Sequence, residues 1–243
     1  MSTSVQATIQ ELREATRILV GEGVIDGFGH VSARHPERPE RYFMLLGNLD
    51  EPTADDRVME LDADSNAVGA GTARPSIERF IHGEIYRRRP DVLAVVHTHA
   101  PSFIPFGVSG VALRPLYHMC GFLADGAPVF DIHEAHGVTN MLVTSPVLGQ
   151  SLAASLGSHA LVLMRGHGAT VVGGSLKEAV FRAVYAAINA QLQPIALQLG
   201  QPRFLAPGEA QLADELHRAV LHRPWEYWLK KHGVQGDGAG RGR

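Results

Sequence analysis

Two short apolar runs that each lead into histidine constrain this chain more than any other feature. The run at residues 92–96 ends in His97 and His99, and the run at residues 161–164 leads through a glycine-flanked turn into His167. Residues two apart in a strand share a face, so His97 and His99 are expected to point the same way. Two imidazoles from one strand and a third from another leave a coordination position open, as catalytic metal sites do. The pattern therefore predicts a divalent metal site where two strands end.

Composition excludes several classes of protein. The chain has 243 residues, 45% of them hydrophobic, and a formal net charge of −3. These values allow one sizeable core and provide no basic surface for nucleic acid. No apolar stretch approaches the length of a membrane span, and no signal-peptide pattern is evident. The single Cys120 excludes an intramolecular disulfide and fits reducing conditions. We therefore expect a cytoplasmic protein with no nucleic-acid or membrane partner.

The elements alternate between helix and strand in the first part of the chain. Apolar residues at helical spacing predict a helix over residues 5–19. Pro75 and Ser76 are expected to open a second helix, because proline is tolerated in the first helical turn. Short strands are expected over residues 30–34, 41–46 and 58–61.

Helices dominate the part after the third histidine. Ser175 and Glu178 match a capping box at the start of an alanine-rich helix, which Pro194 is expected to stop. Residues 207–222 are expected to form the last helix. The chain as a whole is predicted to be one domain over residues 1–232, followed by a flexible glycine-rich tail over residues 233–243.

Four motifs follow one another within residues 9–193. They are Gly29-His30-Val31-Ser32-Ala33-Arg34, Pro75-Ser76-Ile77-Glu78, His97-Thr98-His99-Ala100-Pro101-Ser102 and Arg165-Gly166-His167-Gly168. Their order and spacing resemble the class II aldolase/adducin family. The resemblance implies an α/β fold, namely a three-layer α/β/α sandwich with a mostly antiparallel central sheet, and a homotetramer with active sites at subunit interfaces. It also implies that His97, His99 and His167 bind one divalent metal ion per subunit, with Glu78 beside it as a ligand or an acid–base group.

The chain departs from the sugar-phosphate members of that family where they hold the phosphate. Those members have Asn in place of His30, a Thr-Gly or Ser-Gly pair in place of Gly47-Asn48, and Ser in place of Ile77. Such neutral donors cradle a phosphate, so their loss argues against a phosphate ester as substrate. The chain instead resembles the decarboxylase branch of the family, at residues 82–86, 105–108, 116–119 and 223–228.

The resemblance therefore favours one function over two others. We expect a metal-dependent decarboxylase of a non-phosphorylated hydroxy-aromatic or oxo-dienoic (di)carboxylic acid in a catabolic pathway. A class II aldolase that cleaves a hydroxy-oxo acid or a sugar (phosphate) is the first alternative. A non-catalytic adducin-like interaction module is the second.

Roles for single residues follow from the resemblance and from side-chain chemistry. Glu78 is the candidate catalytic residue, because decarboxylation needs a proton donor at the carbon that loses carbon dioxide. Arg79 suits a carboxylate through its planar fork, with a solvated surface position as the alternative. His30 either contacts substrate or caps the local backbone. The predicted substrate-binding set is His30, Ser76, Arg79, Tyr117 and His118, with packing as the alternative for the last two.

The metal and the remaining histidines complete the predictions. Mn²⁺ is the favoured ion because it suits chelating, oxygen-rich substrates, and Zn²⁺ is a close second. Structural roles are assigned to the histidines at positions 82, 133, 136 and 159.

Overall fold

A single sheet organises the chain, which the computed structural model describes over residues 2–45, 58–69 and 74–233. The strands of these parts are β1 (His30–Arg34), β2 (Tyr42–Leu45), β3 (Val58–Leu61), β4 (Ala94–Thr98), β5 (Val129–Phe130), β6 (Leu161–Met164) and β7 (Gly168–Gly173). They lie in the order β3-β2-β1-β4-β7-β6-β5. Every neighbouring pair is antiparallel except β5 and β6, which are parallel. The mostly antiparallel sheet that was expected is confirmed, and β5 makes it mixed.

In the described ranges, helices precede, follow or connect the strands. They are α1 (Thr3–Gly21), α2 (Phe80–Arg88), α3 (Ile104–Ser109), α4 (Ile132–His136), α5 (Pro146–Leu156), α6 (Leu176–Leu199), α7 (Pro207–Arg218) and α8 (His222–Lys231). Short 3₁₀ turns occupy Pro101–Phe103 and His118–Leu123. Within the described ranges, no helix is both long enough and apolar enough to cross a membrane.

Two hydrophobic cores lie on opposite faces of the sheet. Successive residues of a strand point to opposite faces, so Ala94 and Val96 of β4 join one core whereas Val95 joins the other. The first core contains the buried stripes of α1 and α6. The second contains those of α2 and α5. Helices therefore cover both faces of the sheet, and both sides of β4 are buried.

The second helix starts later than the sequence indicates. Helix α2 begins at Phe80, and residues 77–79 form turns, so the expectation that Pro75 and Ser76 open the helix is wrong. The hydroxyl of Ser76 accepts a hydrogen bond from the Glu78 N–H at 3.2 Å. Serine side chains compete with helical hydrogen bonds in this way, and here the competition keeps Glu78 outside the helix.

Pro194 does not stop α6, which continues to Leu199. Proline removes one helical hydrogen bond, but side chains on the preceding turns fix this helix to a neighbouring extended segment. Gln193 accepts a hydrogen bond from Arg114 N at 2.9 Å and donates one to Ala112 O at 2.7 Å. Asn189 bonds the same segment one turn earlier. These tertiary contacts outweigh the local preference of proline to end a helix.

Residues 207–233 form two helices instead of the single one expected. Helix α7 ends at Arg218, and α8 begins at His222. Trp225 and Trp228 are buried in the first core, so α8 packs against α6. The predicted tail lies outside the described residues from position 234 onward, as does the Gly47-Asn48 pair.

Candidate metal centre

The pairing of β4 with β7 brings the three histidines together. His97 lies opposite Thr170 and Thr98 lies opposite Ala169 in this antiparallel pair. His99 follows directly after β4 and His167 directly precedes β7, so both lie at the same edge of the sheet. The backbones approach closely at this point, because a Cβ atom on Gly168 would lie 2.0 Å from the Thr98 carbonyl oxygen. Only glycine fits there without moving the strand ends.

The distances between donor atoms fit one divalent ion. His99 Nε2 lies 3.1 Å from His97 Nε2 and 3.0 Å from His167 Nε2. Glu78 Oε2 lies 3.7 Å from both His97 Nε2 and His167 Nε2. Ligands at about 2.1 Å from an ion are separated by about 3.0–3.4 Å in octahedral or tetrahedral geometry. The four side chains can therefore share one ion, with Glu78 either as a ligand or just beyond ligand distance.

The other ring nitrogen of each histidine faces an oxygen atom. His167 Nδ1 lies 2.9 Å from the Met141 carbonyl oxygen, and His97 Nδ1 lies 3.4 Å from Thr170 Oγ1. His99 Nδ1 lies 3.6 Å from a carboxylate oxygen of Asp26. A proton on Nδ1 leaves the Nε2 lone pair for a metal, so these oxygens favour the tautomer that the cluster needs.

Burial keeps His97 and His167 in the form that binds metal. Desolvation lowers the pKa of His97 well below its usual range, and the neighbouring histidines act in the same direction. Desolvation also lowers the pKa of His167, although the nearby Glu78 partly opposes it. Neutral imidazole is the ligand form, and three such ligands leave the charge of an ion undiminished for a substrate.

Glu78 is held by one carboxylate oxygen and directs the other at the cluster. The side chain is buried, and Oε1 accepts a hydrogen bond from Val143 N at 2.9 Å. Oε2 is the oxygen that faces His97 and His167. The anchoring bond fixes the orientation of the carboxylate, so Oε2 is available to an ion or a reacting atom.

A cavity of about 610 Å³ opens over this cluster. Its walls are largely apolar, and its volume suits a small organic molecule. Phe28 and Ile77 are exposed there, and Phe28 meets His99 edge to face with ring centroids 6.4 Å apart. The lining residues are Asp26, Phe28, His30, Ser76, Ile77, Glu78, His99, Met141, Leu142, Gly166 and His167.

His30 and Ser76, two of the predicted substrate-binding residues, lie in this lining. The local backbone at the glycine-rich turn is capped by Asp26, which accepts hydrogen bonds from Phe28 N and Gly29 N. A capping role is therefore taken by Asp26 and not by His30. Burial, together with the nearby His99 and His167, lowers the pKa of His30 to about 3.

Arg79 does not direct its guanidinium into the cavity. Its Nε donates to the Ser65 carbonyl oxygen at 2.8 Å and its Nη1 to the Ser76 carbonyl oxygen at 3.1 Å. The guanidinium also stacks over the Phe80 ring at 4.4 Å. Arg34 is likewise engaged with backbone carbonyl oxygens, including that of Val92. Neither arginine forms a carboxylate clamp beside His30 in this arrangement.

Tyr117 and His118 lie apart from the cavity of their own chain. Tyr117 packs against the first core, and His118 is exposed and stacks on His217 with ring centroids 5.1 Å apart. Neither residue is among those that line the cavity. A contact with a substrate at this site would have to come from another subunit.

The sequence did not single out several residues that surround the centre. The imidazole Nδ1 atoms face Asp26, Thr170 and Met141. The apolar wall of the cavity includes Phe28 and Leu142. An Asp ahead of the Gly27-Phe28-Gly29 turn was a detectable signal for Asp26, because such residues accept hydrogen bonds from the turn. The others have no local signal, since only the fold brings them to the histidines.

Comparison with known proteins places the chain in a family. Residues 10–194 match the family described as Class II Aldolase and Adducin N-terminal domain. The chain belongs to this class II aldolase and adducin family. Its relatives include the decarboxylase tropJ of Talaromyces stipitatus, at 35% identity over 88% of this chain and 90% of that protein. Another is the 3,4-dihydroxyphthalate decarboxylase of a Terrabacter species, at 32% identity over 76% of this chain and 79% of that protein.

Solved structures share the fold at low sequence identity. An aldolase II superfamily protein from Pseudomonas syringae has a TM-score of 0.80 at 20% identity, covering 97% of this chain and 96% of that one. L-fuculose 1-phosphate aldolase from Glaciozyma antarctica has a TM-score of 0.77 at 18% identity, covering 96% and 93%. The fold is therefore class II aldolase-like. The family and the decarboxylase relatives support a lyase and favour a carboxy-lyase.

Proposed function

We propose that this protein is a metal-dependent carboxy-lyase. Its substrate is a non-phosphorylated hydroxy-aromatic or oxo-dienoic (di)carboxylic acid. The observation that carries the proposal is a cluster of three histidines and Glu78 that opens into a cavity with apolar walls. The names of the decarboxylase relatives support the choice of reaction.

The lining of the cavity supports a planar carboxylic acid more than a phosphate ester. Phe28, Ile77 and Leu142 offer flat or branched apolar surface, which suits an aromatic ring or a conjugated diene. None of the described lining residues is lysine or arginine. A phosphate dianion needs several neutral or cationic donors placed together, and Ile77 provides none where the sugar-phosphate members of the family have serine.

The metal would be held by His97, His99 and His167, one ion per chain, with Mn²⁺ favoured and Zn²⁺ a close second. When bound, it supplies a Lewis acid that polarises the substrate oxygens beside the leaving carboxylate. Imidazole binds a metal in its neutral form, so three such ligands do not neutralise the ion. The apolar wall excludes water from the face of the substrate.

Glu78 supplies the proton in this scheme. The bond between the substrate carbon and its carboxylate breaks, the electron pair stays on the substrate, and carbon dioxide leaves. Glu78 Oε2 then delivers a proton to that carbon, while Val143 N holds Oε1 in place. The carboxylate regains its proton from solvent before the next turnover. Ser76 and His30, which both line the cavity, contact the substrate.

We also propose a homotetramer with active sites between subunits. Tyr117 and His118 would then contact the substrate of a neighbouring chain, which fits their positions away from the cavity of their own chain. Mixed tetramers test this arrangement. One chain carries His167→Ala and the other carries Tyr117→Phe with His118→Ala, and each alone is impaired. Recovered activity in the hybrid supports shared sites, whereas hybrids that stay as inactive as the parents contradict them.

Product analysis separates carbon dioxide release from aldol cleavage. The metal-loaded enzyme is incubated with ortho-hydroxy aromatic dicarboxylates and, separately, with fuculose 1-phosphate and ribulose 5-phosphate. We expect trapped carbon dioxide from the first set and no aldehyde from the second. Aldehyde release at ordinary enzyme rates without any carbon dioxide would favour the aldolase alternative. Absence of bound metal after purification and reconstitution would favour the adducin-like interaction module.

A further inference from the structure

A buried chain of four polar side chains leads away from the cavity. His30 Nδ1 lies 2.7 Å from His82 Nε2, and His82 Nδ1 lies 2.6 Å from Ser32 Oγ. Ser32 Oγ in turn lies 2.7 Å from the Tyr86 hydroxyl. Ser32 and His82 are completely buried, and only His30 reaches the cavity. The proton transfer assigned to Glu78 makes no use of this chain.

Two regular elements build the chain by interleaving their side chains. His30 and Ser32 are two residues apart on β1, so both point to the same face of the sheet. His82 and Tyr86 are four residues apart on α2, so both point to the same side of that helix. Helix α2 packs on this face, which places His82 between His30 and Ser32 and leaves Tyr86 at the far end. A structural role for His82 alone does not account for this order.

Counting donors and acceptors favours one direction of the hydrogen bonds. If His30 donated from Nδ1, His82 would donate from Nδ1 to Ser32, and the hydroxyl hydrogen of either Ser32 or Tyr86 would then have no acceptor among the hydrogen bonds of the described residues. A buried donor without a partner costs about 1–3 kcal/mol. In the opposite direction Tyr86 donates to Ser32, Ser32 donates to His82 Nδ1, and His82 donates from Nε2 to His30 Nδ1. Every hydrogen in the chain then has an acceptor.

The favoured direction determines what His30 offers to the cavity. Because Nδ1 accepts, the imidazole is neutral and its single proton is on Nε2. Nε2 is also the ring nitrogen that His82 leaves free. His30 lines the cavity, and its free ring nitrogen is therefore a hydrogen-bond donor, not an acceptor or a cation.

We propose that the Tyr86–Ser32–His82 chain fixes His30 as a neutral Nε2–H donor, which binds the carboxylate of the substrate that does not leave. His82, Ser32 and Tyr86 are then positioning residues, and His30 is the residue that determines preference for a dicarboxylic acid. The assignment of a carboxylate rests on the proposed function, whereas the proton positions do not. A neutral donor suits a group that must stay bound, because it orients the carboxylate without adding a second cationic site beside the metal.

Neutron diffraction from deuterated crystals of the zinc-loaded protein tests the proton positions directly. We expect deuterium on Nε2 of both His30 and His82, and the Ser32 deuterium directed at His82 Nδ1. Deuterium on His30 Nδ1 would overturn the proposal. This measurement requires no turnover, so it can contradict the proton positions whether or not the protein is a carboxy-lyase.

A matched pair of variants tests the consequence for binding. His82→Leu removes the donor to His30, whereas a glutamine at position 82 keeps an amide N–H at about the place of Nε2. Calorimetry with zinc-loaded protein compares 3-hydroxyphthalate with salicylate, which lacks the second carboxylate, in a Glu78→Gln background that slows consumption. We expect His82→Leu to reduce the preference for 3-hydroxyphthalate by about tenfold to a hundredfold, and His82→Gln to retain most of it. The proposal would be overturned if both variants lost the preference for 3-hydroxyphthalate equally. It would also be overturned if His82→Leu kept the full preference at unchanged metal content.

Discussion

Replacing Asp26 by asparagine separates its charge from its role in the turn. The carboxylate oxygen accepts hydrogen bonds from Phe28 N at 2.9 Å and Gly29 N at 3.1 Å, and an amide oxygen can accept both. Partial burial raises the pKa of Asp26, but these two bonds and His99 outweigh it and lower the pKa below its usual value. Asp26 is therefore ionised at neutral pH. Asp26→Asn removes that charge beside His99 and keeps the backbone cap.

The size of the effect follows from distance and exposure. Asp26 Oδ1 lies 3.6 Å from His99 Nδ1, so an ion on the opposite ring nitrogen is about 7 Å from the carboxylate. Coulomb's law for a divalent ion and a unit charge gives about 1 kcal/mol in bulk water and about 2 kcal/mol at half that dielectric constant. The Asp26 side chain is 61% exposed, so solvent screens its charge and the interaction energy lies nearer the value for bulk water. We expect metal affinity to fall roughly 5- to 30-fold.

Competition with a chromophoric chelator measures this loss. Asp62→Asn is the matched control, because Asp62 also accepts hydrogen bonds from two backbone N–H groups in a turn, at 2.9 and 2.8 Å, but does not line the cavity. The control should bind metal like the wild type. Equal affinity of Asp26→Asn and Asp62→Asn would refute the reasoning that Asp26 supports the metal through His99.

Three further predictions test the centre and its surroundings. Glu78→Gln should lower turnover by about 10²–10⁴ in steady-state assays, with thermal unfolding little changed, and near-normal turnover would remove Glu78 from the mechanism. Gly168→Ala should abolish stoichiometric metal binding, since its Cβ meets the Thr98 carbonyl oxygen, whereas Gly208→Ala, which meets nothing within 4 Å, should bind metal normally. Burial holds the pKa of His82 well below 6.5 in the folded protein. As the pH falls, His82 therefore binds a proton in the unfolded chain before it does so in the folded one. The free energy of unfolding is then largest above pH 6.5 and decreases below it. In denaturation of metal-free protein, the decrease in the free energy of unfolding on acidification to pH 5.5 should be about 1 kcal/mol smaller for His82→Leu than for the wild type.

The sequence predicted the metal cluster because its signal is local. The alternation of a strand places His97 and His99 on one face, and an apolar run before His167 indicates a second strand ending nearby. The position of Glu78 required the family resemblance, since nothing in the spacing of residues 78 and 97 shows that they meet. Thr170 was missed because its partner lies on another element, whereas Asp26 had a turn signal that does not indicate its contact with His99.

Errors in the fold arose where tertiary contacts outweigh local preference. Pro194 predicts a helix end, but Asn189 and Gln193 bond the extended segment beside α6 and keep the helix intact. Ser76 predicts a helix start, but its hydroxyl bonds the Glu78 N–H and delays the helix. The end of α6 is therefore decided by partners distant in sequence, and the start of α2 by a local hydrogen bond that competes with the helix.

The most direct test of the central claim is a metal titration of carbon dioxide release. Protein stripped with a chelator is titrated with Mn²⁺, and in parallel with Zn²⁺, while carbon dioxide from a carboxyl-labelled ortho-hydroxy aromatic dicarboxylate is measured. We predict that release rises in proportion to added metal, saturates at one ion per chain, and is absent from the His97→Ala, His167→Ala double variant at every metal concentration. Full carbon dioxide release from the stripped protein, or equal release from the double variant, would contradict the account.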